Sequence, residues 1–459
     1  MPDCLRPPLY RPLSPGQCLV SGALLTVLAA PAYAQEVVST ALPTPPAPPA
    51  PQAYTTSTSF EQPFKLYGYI NSFYEKVGRS PAVSEEGDPV VEPNPGEFDV
   101  VNFNVMGQGA LARKYRYYFN LASPGSGSPT ADAPLLVRGA MVEAPIAGEY
   151  LKVSAGKMYR RFGIYNEMLD ATVSFIGTTD PEMLDDDHLI LTRSTNLMLH
   201  GKVNPGGVAL RYAITTGNDE RESNQVPLGL DFNALFDNQF TVGTSFYTTN
   251  GKAVPTVEMG EGSPLGGVLP WMEYDEYYVY GGYMQVKGDA YLLQGEYWRS
   301  PHSGRRDPDK VLQLFDPALG LNAAQRERFG FDTATSADEL PLDVNYTVEA
   351  FYLRLGVSLH ADLAKNGRPW EFTPYAQFDY YSNPETIANK DLGGDNEAGL
   401  ADDGKFYKGM VGLMVKPTTT VAFKVDGSTH FQTISDEMVP YSELHVSASY
   451  YWQMGGNAR

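Results

Sequence analysis

The chain has 459 residues, with 34 Lys and Arg against 54 Asp and Glu, a net charge of −20, and 30 Tyr. So acidic a balance excludes a nucleic-acid footprint. Both cysteines, Cys4 and Cys18, lie near the start, so the remainder has no thiol and no disulfide.

Residues 1–34 read as a secretory signal peptide. Arg6 and Arg11 supply positive charge, Leu19 to Ala30 is mostly apolar, and Ala32-Tyr33-Ala34 is a small-x-small cleavage site before Gln35. Cys18 follows Gly16-Gln17, which is not a lipoprotein context. Cleavage after Ala34 removes Arg6, Arg11 and Asp3 and moves the net charge from −20 to −21. Residues 35–63 contain Pro43-Thr44-Pro45-Pro46-Ala47-Pro48-Pro49, the composition of an extended, semi-rigid periplasmic linker.

From residue 64 the pattern has a period of two. Alternation and turn residues predict strands over 64–76, 98–110, 115–122, 134–143, 150–159, 194–203, 207–216, 228–236, 240–249, 274–287, 289–299, 344–362, 371–382, 406–416, 419–432 and 441–452. In the last of these Leu444, Val446, Ala448, Tyr450 and Trp452 share one face, and Glu443, His445, Ser447, Ser449 and Tyr451 the other. Its neighbour repeats this, with Val421, Phe423, Val425 and Phe431 against Lys424, Asp426, Ser428, His430 and Gln432. The second face is too polar for a sandwich core. Lipid outside and water inside would explain both. No apolar run beyond the signal reaches the roughly 18 residues of a spanning helix, so a membrane-spanning form must be a closed barrel.

The connections sort by parity. Those at 111–114, 144–149, 204–206, 237–239, 288, 363–370 and 417–418 are short. Those at 77–97, 123–133, 160–193, 217–227, 250–273, 300–343, 383–405 and 433–440 are longer. Short periplasmic turns and long outer loops are the habit of outer-membrane barrels. The eight longer connections together carry a charge of about −22. That acidic rim would attract cations, and divalent ions could bridge it to lipopolysaccharide. The expected fold is therefore an all-β transmembrane antiparallel barrel of about sixteen strands over 64–452, with a tail at 453–459.

Over 64–452 the sequence resembles Gram-negative outer-membrane porins. The run Gly156-Lys157-Met158-Tyr159-Arg160-Arg161-Phe162-Gly163, followed by Asn166-Glu167, resembles the phosphate-selective-porin-like branch. The resemblance implies a water-filled channel for passive diffusion of small hydrophilic or charged solutes, without a cofactor. It also implies outer-membrane lipid, the barrel-assembly machinery and a homotrimer as partners, with no nucleic acid. Family members commonly end on an aromatic residue of the last strand, whereas Gln453 to Arg459 follow Trp452 here.

By the same resemblance, the connection 160–193 is the loop that folds inward and narrows the pore. Its Phe162, Ile164, Met168, Leu169, Phe175 and Ile176 need cover, and the barrel wall is the surface at hand. It also carries Glu182, Asp185, Asp186, Asp187 and His188. Consecutive residues do not converge easily on one ion, so a solvated acidic tip is preferred to a metal site. No His, Cys, Asp or Glu cluster has ligand spacing. Arg116, Arg138, Lys152, Arg211 and Arg354 alternate with apolar neighbours and are expected in the lumen, since each would cost about 2–4 kcal/mol at mid-depth in lipid. Basic wall residues facing an acidic loop would create a transverse field selecting solutes.

Two other functions compete. A lipase-like barrel enzyme would need a nucleophile beside a base, and Ser428, Ser447, His430 and His445 share polar faces. No Gly-x-Ser-x-Gly elbow is present. A secreted glycan-active β-protein would use carboxylates such as Glu296, Asp379 and Glu443 as acid and base.

Overall fold

The computed structural model describes residues 64–78, 80–83, 89–92, 96–111, 114–124, 136–164, 166, 176–179, 181, 193–217, 226–255, 268–313, 327, 330, 339–363, 369–385, 405–434 and 437–454. The signal peptide, the linker and the acidic residues Glu182, Asp185, Asp186 and Asp187 lie outside the described residues.

The strands are β1 (Lys65–Val77), β2 (Ser80–Val83), β3 (Pro89–Glu92), β4 (Glu97–Leu111), β5 (Tyr115–Pro124), β6 (Leu136–Pro145), β7 (Lys152–Tyr159), β8 (Arg193–Val203), β9 (Val208–Gly217) and β10 (Leu228–Phe236). They continue as β11 (Phe240–Thr248), β12 (Met272–Lys287), β13 (Tyr291–Arg306), β14 (Asp343–Val357), β15 (Leu359–Ala361), β16 (Trp370–Ser382), β17 (Lys405–Thr418), β18 (Val421–Ile434) and β19 (Glu437–Met454). From β4 to β19 each pairs antiparallel with its sequence neighbour, save that β14 and β15 both pair with β16. These two are one strand interrupted at Ser358, whose N–H turns to Ala290 O (2.7 Å). Strand β1 pairs with both β4 and β19. The sheet closes as a barrel of sixteen strands with no free edge. Strands β2 and β3 form a separate hairpin inside the first long connection, which alternation did not predict.

All sixteen expected strands are present. The two expected limits that move most are at the outer ends, where β13 runs on to Arg306 and β19 begins already at Glu437. Most of the expected long connection at 433–440 is therefore strand, and the parity of loop lengths fails there. The cause is pairing of Thr433 with Met438 and Ile434 with Glu437: a chain that can bond to itself continues as strand beyond its apolar pattern. At the other end Gln453 and Met454 still belong to β19, opposite Tyr67 and Leu66.

The two faces differ as the alternation requires. Leu444, Val446 and Tyr450 are 42–49% exposed, while Glu443, His445, Ser447 and Ser449 are buried. Near the short turns the exposed side chains include Tyr115, Tyr150, Phe236, Phe240 and Tyr291, and near the long connections Phe98, Tyr278, Tyr280 and Phe431. Aromatic rings at both ends of an apolar outer band are how such barrels meet the two membrane interfaces.

The inner face is not uniform. On β11 to β14 the inward residues Tyr247, Tyr277, Val279, Tyr283, Trp298, Val348, Ala350 and Tyr352 are buried against Val268, Leu269, Trp271 and Met272, Val311 of a short helix (Pro308–Gln313), and Leu340. The connections after β11 and β13 thus place apolar side chains within the barrel, and the wall there is aromatic to match. On β18, β19 and β1 the inward residues are Lys424, Asp426, Ser428, His430, Glu443, His445, Ser447, Ser449 and Asn71. A wholly polar lumen was the expectation; the second wall comes nearer to it, with Tyr67, Tyr69, Ala422 and Tyr441 buried among its polar side chains.

Candidate functional site

The connection after β7 enters the lumen and holds the wall at two places. The first anchor is the run that carries the family resemblance. Arg160 is buried, places its guanidinium over the ring of Tyr247 (4.4 Å) and donates to Ser194 Oγ (3.0 Å). Phe162 packs on Trp298, ring centres 4.3 Å apart. The Gly163 N–H donates to Ser245 Oγ on β11 (3.0 Å), and the Ile164 N–H to Glu296 Oε1 on β13 (3.0 Å). Asn166 reaches back to the carbonyl of Arg160. Gly163 has φ +66°, and a Cβ there would collide with Glu296 Oε2. That carboxylate cannot yield freely, because it also accepts from Trp298 Nε1 (3.1 Å) and the Tyr352 hydroxyl (2.8 Å). Glycine is required on both counts.

The second anchor is Ile176 to Thr179. Ile176 is buried with Tyr375, Met410 and Met414 of β16 and β17. Gly177 O accepts from Lys424 Nζ (3.1 Å). Thr178 gives both its N–H (3.0 Å) and its hydroxyl (2.8 Å) to the carboxylate of Asp426. Thr179 O accepts from Arg354 (3.5 Å). Ser245, Glu296 and Asp426 each stand five residues beyond the first residue of their strand at the short-turn end, about 16–17 Å along it at the usual strand rise. The two anchored stretches therefore lie near mid-depth, one on the aromatic wall and one on the polar wall, and inward folding is what the structure shows for the described residues of this connection.

The expected basic residues do not gather around it. Arg354 is buried and meets the loop, also donating to Gln377. Arg116, second residue of β5, pairs with Glu143 Oε1 (3.4 Å) near the short-turn end. Lys152 pairs with Glu149 (2.9 Å) beside it, and Glu143 also meets His200 (3.2 Å). Arg211, on the inward face of β9, stands opposite Lys202 and Asn233. These three sit below the level at which the loop is anchored. Arg138 is the extra residue of a β-bulge, since Asn120 pairs with Gly139 and Leu121 with Val137. The bulge resets the alternation, so the expected facing of Arg138 does not follow from period two.

The anchors Ser245, Glu296, Lys424 and Asp426 were visible in the sequence as polar residues on alternating faces. Their shared role was not, because a loop's contacts with remote strands leave no local signal. Of the serines and histidines that share polar faces, Ser428 and His430 do meet, with Nε2 3.2 Å from the hydroxyl. That same nitrogen meets Glu443 Oε2 at 2.8 Å, and Nδ1 faces the Tyr441 hydroxyl. A relay needs the serine and the carboxylate on opposite nitrogens. Ser300, His302 and Asp275 do have that order, at 2.9 and 2.8 Å. Yet Ser300 is 0% exposed, and His302 lies between the rings of Tyr277 and Tyr346.

No protein-family model and no curated protein matches the sequence. Among solved structures, the chain is similar to the anion-selective porin of Comamonas acidovorans at 10% identity and a TM-score of 0.49, covering 85% of this chain and 99% of that one. It is also similar to OprB of Pseudomonas putida (9%, 0.45, 85% and 94%) and to the outer-membrane OmpT of Vibrio cholerae (10%, 0.44, 85% and 97%). The barrel itself is established by this chain's own strand pairing.

Proposed function

We propose that the protein is an outer-membrane channel for passive diffusion of small hydrophilic or charged solutes. One observation carries this reading: a closed sixteen-strand barrel with an apolar outer band holds, near mid-depth, two stretches of one connection, anchored on the aromatic and the polar wall. Such a connection narrows a passage without closing the barrel, and polar side chains beside it replace part of a solute's hydration. Arg354 and Lys424, at the second anchor, are the basic residues best placed to act on charged solutes. The acidic residues 182 and 185–187 of the same connection are proposed as the opposing charge. Arg116, Lys152 and Arg211 then shape the field at the short-turn mouth, with Arg138 toward the other. Export by residues 1–34, with cleavage after Ala34, belongs to the same proposal.

Planar-bilayer recording of the purified chain tests it. Discrete conductance steps are expected, with a reversal potential that shifts when Asp185, Asp186 and Asp187 are replaced together by Asn. The shift should be toward anions and largest in dilute salt, where charges act beyond the ~8–10 Å of ordinary screening. Absence of any conductance would overturn the channel. An unmoved reversal potential would remove those three residues from the passage and leave the channel standing.

A further inference from the structure

Closing the barrel brings β1 against β19 and so places Glu75 beside His445 in register. Donor atoms of Glu75, Glu443 and His445 all lie within 4.8 Å of one another. His445 Nε2 is 3.5 Å from Glu75 Oε1 and 3.5 Å from Glu443 Oε2. Those distances are too long for good N–H···O bonds, which cluster near 2.9 Å. They match the edge of a tetrahedron around zinc, about 3.3–3.4 Å for metal–ligand bonds of about 2.0–2.1 Å.

The surroundings favour the same assignment. His445 Nδ1 is 3.2 Å from Asp426 Oδ1. A carboxylate only accepts, so Nδ1 carries a proton, and the neutral imidazole that a metal ion selects would then present Nε2 to the ion beside the two glutamates. A metal-ligating histidine is ordinarily held in this way by a carboxylate on its other nitrogen. Phe73 stacks on the imidazole, ring centres 5.3 Å apart, and fixes its plane. Glu443 is oriented by Ser428 (3.0 Å) and His430 (2.8 Å). The Glu75 side chain is 37% exposed, which leaves the group open to the lumen. Lys408, on a nearby strand, offsets part of the negative charge, so donor geometry, not net charge, carries the assignment.

We infer that Glu75, Glu443 and His445 form a binding site for a first-row transition-metal dication of the zinc type, with its fourth position facing the lumen. A mixed imidazole and carboxylate set suits such an ion better than calcium or magnesium, which take oxygen ligands. Three protein ligands leave one place for water.

The full-length barrel, stripped with a chelator and held in detergent, is titrated with zinc chloride by calorimetry and with cobalt(II) by visible absorption. One ion per chain is expected, together with the intense bands of four-coordinate cobalt. Glu75→Gln, at a half-exposed position, should lower zinc affinity at least ten-fold and abolish those bands. His360→Ala, at an exposed histidine near the short turns, should change neither. Heat-modifiable migration on gels confirms closure of each variant. Stoichiometric binding that Glu75→Gln leaves unchanged would overturn the site. So would the absence of binding by the closed parent barrel, which would leave His445 as a bridge between carboxylates.

Discussion

Two inner walls of one barrel follow opposite rules. On β12 to β14, Trp298, Val348, Ala350 and Tyr352 are buried against apolar side chains of the connections after β11 and β13. On β18 and β19, the same inward positions hold Asp426, Ser428, His430, Glu443 and His445, joined by hydrogen bonds. The first wall behaves as the core of a globular protein, stabilised by packing. The second is a hydrogen-bonded network, worth most when every member has a partner. Alternation fixes only which side chains point inward. What folds in from the connections decides whether those side chains meet protein or water.

Substitutions can break that contrast. Trp298→Ala removes the ring that packs on Phe162 and Tyr283. It should cost about 3–5 kcal/mol, as truncation of a buried aromatic does, measured as a lower urea midpoint for gel-monitored unfolding. Next, Leu353→Arg, facing outward on β14, should cost about 2–4 kcal/mol if central in the bilayer. Ser358→Arg, at the strand break, should still assemble. Equal assembly of both would show the facing of β14 to be wrong. Gly163→Ala should cost about 1–2 kcal/mol from the left-handed backbone alone. By forcing the loop root off Glu296 it should also raise single-channel conductance or make it noisy. A steady, parental conductance would mean that the first anchor does not set the passage. The smallest effect belongs to the polar wall. Ser447 Oγ is buried with no hydrogen-bond partner, so Ser447→Ala should stay within about 0.5 kcal/mol of the parent, because an unsatisfied group loses nothing on removal.

Much of this was legible from period two. The strand over 228–236 appears with those limits as Leu228–Phe236, since Leu228, Leu230 and Phe232 against Gly229 and Asp231 leave one way to face lipid. The extension of β18 and β19 to Ile434 and Glu437 was not legible. Residues 433–440 read as a loop, yet the pairing of Thr433 with Met438 and of Ile434 with Glu437 draws the strands on. The aromatic wall was hidden for another reason. Trp271 and Val311 become wall partners only through the fold of two long connections, and their own segments show no periodicity. At the candidate pore the loop's position and apolar content pointed inward. The partners of Arg116 and Lys152 were not foreseeable, because Glu143 and His200 reach them only through strand register. The Glu75, Glu443 and His445 group shows most plainly where ligand spacing fails as a guide, since its members lie at opposite ends of the chain.

That seam also governs how the molecule comes into being. Ser449 donates to Asn71 across a separation of 378 residues, and β1 and β19 are matched over twelve register positions from Leu66↔Met454 to Val77↔Glu443. Until β19 has been made, β1 offers its outer row of backbone donors and acceptors to any passing strand, a standing invitation to aggregate. Closing so long a span of flexible chain costs about 5 kcal/mol in entropy on a logarithmic length dependence, recovered only when the full ladder forms at once. Joining of the two ends is therefore the contact with the largest loop to close, and an unjoined chain presents two open strand edges until it forms.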